Sequence, residues 1–394
     1  MNPSKNPFAP GAGTQPPELT GRAENLQRAE VILDRIKAGR IDRSSLFIGL
    51  RGVGKTVLLN RIQKIATEKG YYTVLIESPE EKNIQQLLAP YLRQILRQLD
   101  QLEGAKDHLR KARAALRSFA STFRVEIGDI GLGVTPSNGA ADSGNLDKDL
   151  TDLFVAIGEA AKESSSAVAL FIDELQYVKV KELSALLAAI HRVGQLNLPL
   201  VIFGAGLPQL AGLTGKAKSY AERLFEFQEI GALSIEDAKA AVKEPIERAG
   251  VSIKTDALNK LVGETAGYPY FLQEYGLHTW NYAQGPNISL TDVENASIQA
   301  IKALDQSFFR VRFDRLTKSE KEYLRAMASL GPGSHRSGDI AAALNRGVDK
   351  VAPTRGKIIA KGMIYSHSYG DNAFTVPKFD EYMKRVMPTF TPRT

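Results

Sequence analysis

Four short, largely apolar runs organise the first half of the chain: Leu46 to Gly49, Tyr72 to Glu77 (YTVLIE), Ala167 to Ile172 (AVALFI) and Leu200 to Phe203 (LVIF). Between them, apolar residues recur every three to four positions, which predicts helices over 55–68, 83–117, 146–163 and 180–193, with one more over 21–37. Strands apolar on both faces that alternate with helices predict an α/β fold whose parallel sheet is flanked by helices. Residues 123–134 alternate with period two around a Gly-Asp pair and predict a β-hairpin. They sit inside an insertion of about 118–147 that ends in a polar stretch. Residues 1–20, rich in Pro and Gly, read as an extended arm. The region 232–312 shows helical periodicity and no convincing strand. From 316 to 388 the pattern is three short helices, a hairpin and a last helix. No internal repeat or heptad run is present.

Composition narrows the chemistry. The chain has 394 residues, 43% of them hydrophobic, which is enough for more than one core. There is no cysteine, so disulfides, thiolate metal sites and cysteine nucleophiles are excluded. Five scattered histidines without HExxH-like spacing leave little for a transition metal. No apolar run approaches eighteen residues and no signal-like segment opens the chain, so the expectation is a cytoplasmic protein that does not engage the membrane. The net charge is +7, and residues 316–394 hold thirteen Lys or Arg against seven Asp or Glu. That asymmetry favours a polyanionic partner for the C-terminal region.

The segment SLFIGLRGVGKTVLL, Ser45 to Leu59, leaves a strand, turns glycine-rich and opens a helix. Gly49, Leu50, Arg51, Gly52, Val53, Gly54, Lys55 and Thr56 fit the phosphate-binding loop pattern, with Val57 continuing into the helix. Glycines let backbone N–H groups curl around phosphates, and the helix N-terminus adds partial positive charge. Lys55 is placed to reach the β and γ phosphates of ATP, and Thr56 to ligate Mg²⁺.

Val168 to Ile172 then delivers two consecutive carboxylates, Asp173 and Glu174, to the C-terminal end of a strand, where ligands bind in open α/β sheets. Asp173 is expected to hold Mg²⁺ through water. Glu174 is expected to orient and deprotonate an attacking water, which argues for hydrolysis over transfer to a second substrate.

The order of GLRGVGKT, LFIDE, LVIF, Arg223 before a last core strand, the GYPYF turn and a basic C-terminal module resembles the AAA+ ATPases. Within that family the likeness is to the branch of the origin-recognition initiators and the related STAND ATPases. The resemblance implies a P-loop core over 21–231, an all-helical lid over 232–315 and a winged-helix domain over 316–394. It implies that Pro17, Gly21 and Arg22 pack near the adenine and that Gly267 and Pro269 join the lid to the nucleotide. It further implies that Arg223 acts as an arginine finger on a neighbouring subunit, so that the chain forms a homo-oligomer. Two departures stand out. The end of the fourth strand, Phe203-Gly204-Ala205-Gly206, lacks the usual polar sensor, a role left unassigned or passed to Gln176. Tyr270 stands where the lid usually offers a second-sensor arginine. Slow or partner-stimulated hydrolysis is the expectation.

In the C-terminal module, helix spacing followed by a hairpin fits a helix-turn-helix with a wing. Its third helix would expose Arg355, Lys357 and Lys361 beside a wing carrying His367 and Tyr369, a face suited to double-stranded DNA. Two functions stay open: an ATPase whose nucleotide state controls assembly and DNA engagement, or a STAND-like signalling switch that recruits a protein partner.

Overall fold

The computed structural model describes residues 1–11, 13–79, 82–100, 106–125, 140–366 and 370–390. The first unit runs α1 (Ala23–Lys37), β1 (Ser44–Ile48), α2 (Lys55–Glu68), β2 (Tyr71–Glu77), α3 (Ile84–Leu99), α4 (Lys106–Thr122), α5 (Leu146–Glu163), β3 (Ala167–Asp173), α6 (Val180–Gln195), β4 (Leu200–Gly206), α7 (Gln209–Ala217), α8 (Ala221–Leu224) and β5 (Phe225–Glu229). The strands form one five-stranded sheet in the order β2-β3-β4-β1-β5, and every pair is parallel.

Strand geometry explains the core. Successive side chains point to opposite faces, so Leu46, Leu170 and Ile202 pack with α3 to α6. Phe47, Phe171 and Phe203 pack on the other face with α1 and α2, where Phe171 and Phe203 stack at 5.3 Å. Cutting one of these fully buried rings to alanine would cost about 3–5 kcal/mol.

The expected helix over 83–117 is two helices, α3 and α4. Asn83 caps the first, its side chain accepting from the Gln86 N–H at 2.9 Å. The polar, glycine-containing run that starts at Asp100 ends the apolar stripe. Ala112, Ala115, Leu116 and Phe119 then carry α4 to Thr122, past the expected end. The expected hairpin over 123–134 falls mostly on residues 126–139, outside the described residues.

Four helices follow: α9 (Ile235–Arg248), α10 (Thr255–Thr265), α11 (Pro269–Tyr282) and α12 (Leu290–Leu304). Two-residue strands β6 (Ser252–Ile253) and β7 (Asn287–Ile288) pair between them, too short to leave a period in the sequence. A π-turn over Asp305–Phe309 leads into α13 (Arg310–Asp314). Beyond it lie α14 (Lys318–Ser329), β8 (His335–Arg336), α15 (Ser337–Ala343), α16 (Val348–Ala360), β9 (Ile364–Tyr365), β10 (Asp371–Phe374) and α17 (Phe379–Val386). The C-terminal strands form an antiparallel sheet, β8-β10-β9. Strand β8 was not foreseen from the sequence. It is held by the buried Asn372 amide, which donates to the His335 carbonyl at 3.1 Å and to the Ser337 hydroxyl at 3.0 Å. His367 and Tyr369 lie outside the described residues.

The N-terminal arm is docked. Phe8, 3% exposed, covers Gly276 so closely that a Cβ there would lie 2.7 Å from its ring. Trp280 Nε1 donates to the Asn2 carbonyl at 2.9 Å, and the Asn6 amide to the Leu277 carbonyl at 3.0 Å. The arm is thereby fixed along α11.

Candidate active site

Strand β1 ends at Ile48, and the chain turns at Gly49 so tightly that a Cβ there would lie 2.0 Å from the Ile230 carbonyl oxygen. Gly52 (φ +83°) and Gly54 (φ +91°) take left-handed conformations that side chains oppose, and Gly54 caps α2. The loop opens onto a cavity of about 430 Å³ lined by residues 51–57 and by arm residues including Pro16, Leu19 and Thr20, with Arg22 just beyond them.

Lys55 is 7% exposed, and its Nζ donates to the carbonyls of Gly49 at 3.0 Å and Leu50 at 2.9 Å. Burial lowers its pKa to about 8, Glu174 and Asp173 oppose that shift, and Arg51 adds to it. Thr56 Oγ1 donates to Asp173 Oδ2 at 2.5 Å. Asp173 ends β3 beside Glu77 of β2. A hydroxyl and a carboxylate brought together at the mouth of a phosphate cradle form a hard-oxygen donor set that fits Mg²⁺, which keeps water and phosphate ligands besides.

Glu174 occupies a left-handed conformation (φ +55°), with its N–H donating to Asp173 Oδ1 at 2.8 Å. Glu174 lines the cavity beside Asp173. Gln176 Nε2 donates to the Glu174 carboxylate, and Arg51 Nη1 stands 3.5 Å from it. Gln176 Oε1 in turn accepts from the Leu207 N–H at 3.0 Å, just past β4. Gln176 thus bridges Glu174 and the end of the fourth strand, the place where the sequence left a polar role open.

The other sequence candidates divide. Arg22 is 8% exposed and donates to the carbonyls of Gly231 at 2.6 Å and Val53 at 3.2 Å, so it ties the loop to the chain after β5. Pro17 and Gly21 are not among the residues that line the cavity. Pro269 lines the cavity, while Gly267 (φ +67°) supports it, accepting from the Leu233 N–H at 2.9 Å. Arg223 is exposed in α8, two residues before β5. The register pairs Ser44 with Phe225 and Ile48 with Glu229, so Arg223 sits about 16 Å or more along the strand axis from the phosphate loop at ~3.3 Å per residue. It does not reach the site of its own chain.

In the C-terminal region Lys357 is exposed on α16. Arg355 Nε instead donates to Asn372 Oδ1 at 2.5 Å. Lys361 Nζ pairs at 2.7 Å with Glu320, a carboxylate only 1% exposed; burial works to raise its pKa, and the hydrogen bonds from Lys361 and the Thr317 N–H outweigh that and lower it.

Two features had no sequence signal. The Arg51 backbone N–H donates to the Thr375 carbonyl at 3.2 Å, which places the chain just after β10 on the phosphate loop. Arg312, from α13, lines the cavity. Both depend on contacts between residues far apart in the chain.

The sequence over residues 18–203 matches the AAA ATPase domain family. Lys55, Asp173 and Glu174 fall within the matched residues, and the match supports an ATPase. Residues 306–383 match a second family, described as a domain of unknown function (DUF8462). Among solved structures, the chain resembles the Walker-type ATPase paby2304 of Pyrococcus abyssi, with 14% identity and a TM-score of 0.57 over 94% of this chain and 97% of that one. It also resembles the ADP form of the Aeropyrum pernix ORC2 protein, with 15% identity and a TM-score of 0.50 over 96% and 98%. At these identities the likeness is one of fold. No curated protein matches the chain in sequence. No helix among the described residues is long and apolar enough to cross a membrane.

Proposed function

We propose that the chain binds ATP with Mg²⁺ in the cavity between the phosphate loop and the N-terminal arm, hydrolyses it, and uses its nucleotide state to control assembly and the engagement of double-stranded DNA. The observation that carries this reading is the meeting of Thr56 with Asp173 at 2.5 Å beside a buried Lys55. When bound, Mg²⁺ would neutralise charge on the phosphates, with Thr56 and Asp173 as its protein donors. The Lys55 ammonium binds phosphate oxygens in place of the two carbonyls it now contacts. Glu174, steered by Gln176 and Arg51, takes a proton from water at its carboxylate. Arg223, exposed and distant from its own site, suits a role on the neighbouring copy in a homo-oligomer.

The C-terminal helices and three-stranded sheet support a winged-helix reading, with Lys357 facing solvent as a phosphate contact. The direct test is ATP turnover by the purified chain with and without duplex DNA. Turnover that depends on Mg²⁺ and responds to DNA supports the reading; absence of ATP binding would remove it.

The contact of Thr375 with Arg51, and the internal bonds of Arg355 and Lys361, favour a second reading. In it the C-terminal module clamps the nucleotide site and recruits a protein partner in the manner of a signalling switch. Turnover and nucleotide binding that ignore DNA at low salt would put this reading first.

A further inference from the structure

We propose that Arg312 is a phosphate-binding residue of this cavity, supplied by the segment entering the C-terminal region and not by the lid helices, and that it distinguishes ATP from ADP. The proposal rests on the reading of the cavity as an ATP site.

Arg312 lines the cavity together with Arg51. Its guanidinium lies 4.0 Å above the Phe308 ring, and Nη1 donates to the Phe308 carbonyl. Among the described residues it has no other hydrogen bond and no carboxylate within ion-pair distance. The charge it feels most is that of Arg51, and burial with this like-charged neighbour lowers its pKa to about 10, which leaves it protonated at neutral pH. A half-buried cation facing a second cation across a cavity is unfavourable until an anion enters. Against the single carbonyl that Arg312 contacts, the other cations of the site have two or three partners each: Lys55 has two carbonyls, Arg22 has three, and Arg51 has Glu174 and Tyr177.

The support behind Arg312 fixes it relative to the phosphate loop. Phe308 stacks on Tyr270 with ring centroids 4.4 Å apart, and the Tyr270 N–H donates to the Gly52 carbonyl at 3.2 Å. The π-turn that presents Phe308, an uncommon backbone form frequent at functional sites, ends directly before α13. Arg51 also reaches Glu174, so the two guanidiniums mark the side of the cavity where water is to be activated. The terminal phosphate of a triphosphate belongs on that side. The diphosphate, held by residues 53–56 and the helix N-terminus, depends less on it.

The test uses the full chain carrying Arg312→Met, which keeps the apolar stem against Phe308 and removes the charge. Calorimetry in Mg²⁺ should show ATP affinity falling on the order of tenfold to a hundredfold, the range of a charge-assisted hydrogen bond, with ADP affinity within about threefold of the parent. Without nucleotide, the variant should melt at the parent's temperature or above it. Arg312→Lys should recover part of the ATP affinity. Equal losses for ATP and ADP, or a lower melting point with both affinities unchanged, would overturn the proposal and make Arg312 structural. If the parent chain binds neither nucleotide, or binds ATP equally well with Lys55→Ala, the ATP reading itself fails and this proposal falls with it.

Discussion

Replacing Lys55 by methionine should stabilise the nucleotide-free protein while abolishing ATP binding. Burial lowers the lysine pKa from 10.5 to about 8, which corresponds to ~3 kcal/mol of destabilisation when the side chain is charged, at ~1.4 kcal/mol per pKa unit. Methionine removes that cost but takes the donor from the carbonyls of Gly49 and Leu50, a loss of roughly 1 kcal/mol each. The net gain is about 1 kcal/mol, or a degree or two in melting temperature for a chain of this size. The sign with pH follows from the lowered pKa. Below pH 8 both folded and unfolded chains hold the proton and the cost is present in full. Between about pH 8 and 10.5 the unfolded chain holds a proton that the folded chain gives up, so parent stability rises and the advantage of the variant shrinks. Melting curves without nucleotide at pH 7 and pH 9.5, with calorimetric titration of ATP alongside, measure both effects. A variant that melts below the parent at pH 7, or a gap that does not narrow at pH 9.5, would refute the reasoning.

Glu174→Gln should keep ATP affinity and lose turnover by on the order of a hundredfold or more, as expected of a positioned base; a parallel fall in affinity would make Glu174 structural. Mixing Arg223→Ala with Lys55→Ala should restore some ATPase activity at mixed interfaces, and no rescue, together with a monomer by light scattering in ATP and Mg²⁺, argues against the trans role. Lys357→Ala in the full chain should weaken duplex DNA binding on every sequence and reduce the slope of log affinity against log salt by about one. Residual binding is expected, because residues 82–125 carry nine Lys or Arg against three Asp or Glu, a second basic region beside the C-terminal one. A slope unchanged by the substitution would place the DNA contacts elsewhere.

The phosphate loop, the paired carboxylates and four of the five core strands were legible because each is a contiguous pattern whose physics is local. Gly49, Gly52 and Gly54 stand where backbone must bend, and the apolar run before Asp173 needs no partner to be read. What escaped the sequence depends on distant partners. Lys361 looked free on a helix face, yet Glu320, 41 positions away, pairs with it. Arg312 sits in an aromatic, arginine-rich run with no period that points to a cavity. Gln176 was read as a candidate only because β4 lacked a polar end, and its bridge between Glu174 and Leu207 needed the fold. The docking of Phe8 on Gly276 could not be seen from a Pro- and Gly-rich arm, since flexible composition does not exclude an anchored path.

With Glu174 in the proposed role of base, its left-handed backbone sets activity and thermal robustness against each other. A side chain with a Cβ in that conformation costs on the order of 1 kcal/mol, while glycine adopts it freely. Selection of variants for heat resistance alone would therefore tend to enrich glycine or asparagine at position 174, and the survivors would be sturdier proteins without a base. Any engineering of this chain toward higher working temperature has to hold that position fixed and look for its gains elsewhere.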